Sequence, residues 1–166
     1  MNGIRPAILI GMLGVAAVLQ AQSTPPALSD VALAPAPVPY LPSVADLMTS
    51  TVQPRHVKLG LAVQDGNWSY AAYETSELRG AFRRIIRTIP VYDQKTNTES
   101  LMSMIFPPLE VIETAVKAKD AAGARQAFST LTATCNACHQ QTLNRKYLVI
   151  VDPKATAFPD QDFRHH

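Results

Sequence analysis

Four stretches of this chain repeat apolar residues at the spacing of one helical face, and the segments on either side of them do not. The first runs from about Ser43 through "VADLMTSTVQPRHVKLGLAV" to Gly66, with Val52, His56, Leu59 and Val63 at steps of 4, 3 and 4. Ser43 is a good N-cap with Asp46 in the first turn, Gly66 is a stop, and Pro54 must kink or restart the helix. The second follows "DGNW" and ends near Ile89, before Pro90, with Leu78, Phe82, Ile85 and Ile89 on one face. The third covers about 98–119, with Leu101, Ile105, Leu109, Ile112 and Val116 aligned, and Pro107 and Pro108 must break or begin a helix there. The fourth spans "DAAGARQAFSTLTATCNACHQQTLNRKY", where Ala124, Phe128, Leu131, Cys135, Cys138 and Thr142 form one continuous stripe. The predicted fold is all-α, an antiparallel four-helix bundle with short loops over residues 43–148.

The flanks read differently. "MNGIRPAILIGMLGVAAVLQAQS" has one positive charge, Arg5, and an uncharged apolar run of 13 residues from Ala7 to Leu19. Small or polar residues follow around Ala21, so 1–22 has the build of a secretory signal peptide. The run is shorter than the roughly 20 residues of a spanning helix, which argues against stable membrane insertion after cleavage. Residues 23–42 contain six prolines and a single charge, Asp30, the composition of an extended linker. Beyond the fourth helix, 149–166 is expected to be an extended tail packed on the bundle, because a lone strand has no partner.

Charge excludes one class of partner. Without Arg5 the chain carries 14 basic and 13 acidic side chains, so nucleic acid is not an expected ligand. No carboxylate pair, Ser/His/Asp set or phosphate loop points to an enzyme.

The chemistry sits in "TCNACHQ". Cys135 and Cys138 are the only cysteines, and His139 follows them directly. A CxxCH fits covalent haem attachment, a thioredoxin-like redox pair or half a zinc site. Structural zinc wants four ligands, and the remaining histidines are His56, His165 and His166, the last two in a terminal segment expected to be disordered. A redox CxxC sits at a helix N-terminus, whereas the residues before Cys135 read as mid-helix. Export and a mid-helix position favour haem c, one per chain, with both thiols consumed as thioethers. His139 lies on the edge of the cysteine face, so a haem held by both sulfurs can accept its imidazole as an iron ligand.

With these residues the chain resembles the class II c-type cytochromes, cytochrome c prime and its low-spin relatives, which carry CxxCH near the end of the fourth helix of a bundle. The resemblance covers about 43–147, and its one sharp motif is "CNACH". More locally, "QPRHVKLGLAVQDGNWSYAAYETSEL" with "LTATCNACHQ" is similar to a group of small exported bacterial monohaem proteins. The resemblance implies that Cys135 and Cys138 hold the haem and that His139 is the proximal ligand. The tail "YLVIVDPKATAFPDQDF" departs from cytochrome c prime by running on past the haem helix.

The other face of the iron decides between an electron carrier and a gas-binding protein. His56 is the first candidate for a sixth ligand, on an apolar face but flanked by Arg55 and Lys58, and Met48 is the alternative. Met102 and Met104 read as core. Arg79, Arg83 and Arg87, with Arg84 adjacent, make a basic stripe expected on the solvated side of the second helix. Arg55 or Lys58 is a candidate partner for a haem propionate, and Trp68 for the haem edge or the bundle end. The expectation is a periplasmic monohaem c-type cytochrome that transfers single electrons to an unidentified redox partner protein, with a homodimer as a compatible state. A five-coordinate haem protein that binds or senses NO or CO is the alternative.

Overall fold

A computed structural model describes residues 41–154; the expected signal peptide, all but the end of the linker, and the histidines at 165 and 166 lie outside the described residues. Within that range the chain is predominantly helical, with four helical segments and one short hairpin. Helix α1 comprises Val44–Leu47, a wide π turn over Met48–Val52, and Gln53–Asp65. Helix α2 is Trp68–Thr88. Strands β1, Val91–Tyr92, and β2, Thr96–Asn97, form an antiparallel pair. Helix α3 comprises Thr98–Met102, a tight 3-10 turn over Ser103–Ile105, and Phe106–Lys117. Helix α4 is Ala121–Asn136, continued by a second π turn over Ala137–Thr142.

The helix ends follow from local chemistry. The Ser43 hydroxyl accepts from the Asp46 amide while the Asp46 carboxylate accepts from the Ser43 amide, a reciprocal capping box. Asn67, Asn97 and Asp120 cap the remaining starts through their side-chain oxygens. Gly66 ends α1 at φ +69°, a left-handed geometry natural to glycine. Neither proline site breaks its helix. Pro54 has no N–H to return to the preceding turn, and it falls at the first turn of the segment that restarts after the π turn. Pro107 and Pro108 likewise occupy the first turn after the 3-10 step, where a missing donor costs nothing.

Helix α1 packs on α2 and α4, and α3 packs on the same two helices, so one core serves all four. Leu59, Leu78, Ile85, Leu109, Ile112 and Leu131 are fully buried in it. The stripes read from the sequence are these core faces, with two exceptions at helix ends: Ile89, which caps α2 just past its last residue, is only half-buried, and Thr142 is not in the core. Thr142 is exposed, because the π turn adds backbone between Cys138 and the helix end; the Leu143 amide donates to the Cys138 carbonyl at 3.0 Å, and Leu143 packs on the core instead.

The hairpin was not expected, whereas a tail packed on the bundle was. The hairpin turns through Asp93 and Gln94, both with positive φ, where no glycine signals a turn. The tail as far as Lys154 has neither helix nor strand and folds back over α4 and α1. Asn136 supplies what a neighbouring strand would: its Nδ2 donates to the Ile150 carbonyl at 2.8 Å and its Oδ1 accepts from the Ile150 amide at 2.7 Å. Gln64 donates to the Pro153 carbonyl at 2.8 Å. At Gly60 the backbone comes so close to Phe128 and Pro153 that an added Cβ would lie 2.5 and 2.6 Å from their side-chain carbons. Only glycine fits that crossing.

Candidate functional site

At one end of the core the packing opens into a cleft of about 300 Å³, at the lower end of the range for small-molecule sites. Cys135, Cys138 and His139 enter it from α4, and Met48, Val52 and His56 from α1. Phe82 of α2, and Leu101, Met102 and Ile105 of α3, form apolar wall, and Tyr92, Leu143, Arg145, Leu148 and Ile150 close the rim. Every metal-ligating residue singled out in the described part of the sequence therefore reaches one cleft. Both π turns border it. A π turn is rare and costs backbone regularity, and it occurs in α1 and α4 where each meets the cleft.

The two cysteines are free thiols and half-buried. Burial pushes the Cys135 thiol up to about 12, with the neighbouring Cys138 adding to the effect, and burial also raises Cys138 against the opposing charge of Arg145. A redox dithiol needs the opposite environment, one that favours the thiolate. Burial and Arg145 together lower His139, so its imidazole is held neutral, the form that binds metal. His139 Nδ1 is buried without a hydrogen-bond partner, a cost unless something else occupies it.

His56 is buried rather than solvated, although Arg55 and Lys58 flank it. Its Nε2 lies 3.0 Å from Thr132 Oγ1, and its ring is 4.7 Å from that of Phe128. Thr132 Oγ1 lies 2.6 Å from Asp152 Oδ1, and Ser129 donates to Asp152 Oδ2 at 3.1 Å. The Asp152 carboxylate and the Phe128 carbonyl, 3.2 Å from Thr132 Oγ1, can only accept, so the single Thr132 proton is taken by these acceptors. The Thr132 oxygen then accepts from Nε2–H, and the neutral imidazole is the Nε2–H tautomer with its lone pair on Nδ1. Burial lowers His56 to about 4, although Asp152 pulls the other way.

Other candidates fall elsewhere. Arg55 pairs with the buried Glu74 at 3.3 Å and with Glu77 at 2.9 Å, so its guanidinium serves the α1–α2 contact and not the cleft. Arg79 is only 15% exposed and meets Glu113 at 2.9 Å, so the basic stripe begins inside the α2–α3 interface instead of on a free face. Trp68 packs on the core beside the Gly66 turn, away from the cleft lining. Met102 is buried, as read; Met104 is 38% exposed and sits at the cleft, a position that a 3.6-residue period misses because the 3-10 turn rotates it outward.

Sequence reasoning missed Thr132, Asn136, Arg145, Tyr92 and Asp152. One signal was present: Asp152 is the lone acid after a run of apolar residues, "YLVIVD". The partners it meets are remote in sequence. Among the described residues no three His, Cys, Asp or Glu side chains converge on a point suited to a metal ion. No helix among them is long and apolar enough to cross a membrane. No family model matches the chain, and no curated protein or solved structure matches it either.

The residues present fit a covalently held haem. Two thiols and one neutral imidazole with an unpartnered nitrogen share a mostly apolar cleft, and such a ligand set needs no third protein donor because the porphyrin supplies the others.

Proposed function

We propose that this chain is an exported, periplasmic monohaem c-type cytochrome, an antiparallel four-helix bundle of the cytochrome c prime kind that transfers single electrons to a partner protein. The observation that carries the reading is the convergence of Cys135, Cys138 and His139 in one apolar cleft, with the His139 Nδ1 buried and unpartnered. When bound, haem supplies a one-electron iron couple. Cys135 and Cys138 would tether it, and His139 would ligate the iron. Val52, Phe82, Leu101 and Ile105 exclude water, which favours the less charged state of whatever the cleft holds. Met104 and Tyr147, both exposed at the rim, leave the cleft accessible to a partner surface.

The test is the mass of the mature protein made alongside a c-type maturation system. The expected result is the polypeptide beginning near Ser23 plus one haem, with the increment lost in Cys135→Ala/Cys138→Ala. A mass without haem in the unaltered protein would overturn the reading.

A second reading, a five-coordinate haem that binds NO or CO, is favoured by one observation: the Nε2 of His56 is already committed to Thr132. His56 can then reach iron only through Nδ1, which leaves Met48 as the other ligand named from the sequence. Carbon monoxide titration of the reduced protein separates the two. Rapid stoichiometric binding is expected for the open site, and none for a six-coordinate carrier. Low-temperature EPR of the oxidised protein beside His56→Ala and Met48→Ala then identifies the ligand, because the variant that turns a low-spin signal high-spin has lost it.

A further inference from the structure

Arg145 is the only Asp, Glu, Lys or Arg that lines the cleft among the described residues. Its position is built. Asn144, at φ +52°, turns the chain at the end of α4, and the Arg145 amide donates to the His139 carbonyl at 2.7 Å. The guanidinium is held from the other side, where Nη2 donates to Tyr92 Oη and the guanidinium carbon stands 5.9 Å from the tyrosine ring centroid. The unexpected hairpin thus fixes a cation beside the CxxCH turn.

Other partly buried arginines are neutralised. Arg55 has Glu74 and Glu77, and Arg79 has Glu110 and Glu113. Arg145, also part-buried, has no carboxylate within ion-pair distance among the described residues, and its side-chain partner is a tyrosine hydroxyl. A guanidinium offers five donors in a planar fork, of which tyrosine takes one. A cation half-removed from water beside apolar walls is stabilised by an anion that enters with the ligand.

We propose that Arg145, held against Tyr92, receives a carboxylate of the ligand that occupies the cleft. This rests on the haem reading above, in which that carboxylate is a haem propionate, and it replaces Arg55 as the propionate partner. The positive charge also acts on Cys138 and His139, both of which it pulls toward lower pKa.

The experiment varies the charge on both sides of the contact. In the full-length mature chain carrying Cys135→Ala/Cys138→Ala, haemin and haemin dimethyl ester are titrated separately by their Soret absorption; the ester keeps the macrocycle and iron but has no carboxylate. Haemin is expected to bind roughly tenfold more tightly than the ester, the scale of one charge-assisted hydrogen bond. Arg145→Gln should remove that preference by weakening haemin alone. Tyr92→Phe, which keeps the cation but releases it, should reduce the preference by less, and it reads the same contact if Arg145→Gln perturbs folding. Equal affinity for the two compounds in the parent chain, or equal weakening of both by Arg145→Gln, would overturn the assignment while leaving the haem reading intact. If neither compound binds saturably and the unaltered protein also matures without haem, both fall together.

Discussion

The two ends of the helical core are built by different rules. Around Leu59, Leu78, Ile85, Leu109, Ile112 and Leu131 every side chain is fully buried, and regular α-helices deliver them at steps of three and four. At the cleft the same helices change pitch. Met48–Val52 and Ala137–Thr142 are π turns and Ser103–Ile105 is a 3-10 turn, and Met48 and Cys138 within the π turns, with Cys135 and Leu143 flanking the second, are only half-buried. Regular pitch closes a core because each turn repeats the same knob at the same angle. A widened or tightened turn rotates the knobs out of register, and the helices stay apart. One end therefore stores the stability of the fold, and the other holds space open for chemistry.

Truncations at the two ends should differ most. Leu109→Ala is expected to destabilise by about 3–4 kcal/mol in urea unfolding, because the buried site cannot collapse around the lost methyls. Met48→Ala in haem-free protein should cost about 1 kcal/mol, since its side chain already borders open volume. Equal losses at the two positions would break the distinction.

His56 links the two ends, and its titration gives the next largest effect. Its folded value, about 4, lies below the ordinary 6.5, so the unfolded chain takes up a proton before the folded one does. Stability from this residue is complete above about pH 6.5 and is lost as pH falls toward 4, by on the order of 3 kcal/mol across that window. Urea midpoints of haem-free protein from pH 7 to 4 should fall more steeply than those of His56→Gln; parallel curves would show that His56 is not shielded from water.

Gly60→Ala tests the seam where the tail crosses α1. The new methyl meets Phe128 and Pro153, and overpacking of this kind costs about 1–3 kcal/mol by the same unfolding assay. Asn136→Ala should have an effect on global stability as small as that of Met48→Ala, about 1 kcal/mol. It is expected to raise amide exchange at Ile150 while leaving Leu131 protected, because it removes both bonds to the Ile150 backbone.

Much of the fold was legible. Hydrophobic steps of three and four located all four helices, Ser43 and Gly66 marked the ends of the first, and the CxxCH motif with His56 and Met48 named residues that do meet in one cleft. What could not be read has a common cause. Thr142 and Met104 were misplaced because a period of 3.6 is wrong wherever the pitch changes, and a proline shows that a helix must adjust without showing how. The hairpin at Asp93 and Gln94 lacks the glycine that would have marked it. Arg55 was offered to the cleft because it adjoins His56 in sequence; successive helical residues point about 100° apart, and Arg55 turns to Glu74 and Glu77 on α2.

The sequence by itself determined what depends on neighbours along the chain: four amphipathic helices, their caps, and two thiols and an imidazole within one turn of each other. Only the tertiary structure decided what depends on residues far apart. It set Asp152 against Thr132 and His56, Asn136 against Ile150, and Tyr92 against Arg145, pairings 20, 14 and 53 residues apart for the bonds made by Thr132, Asn136 and Arg145. Local periodicity carries no information about such contacts. They arise when buried polar groups, brought together by packing, must find one another or remain unpaired.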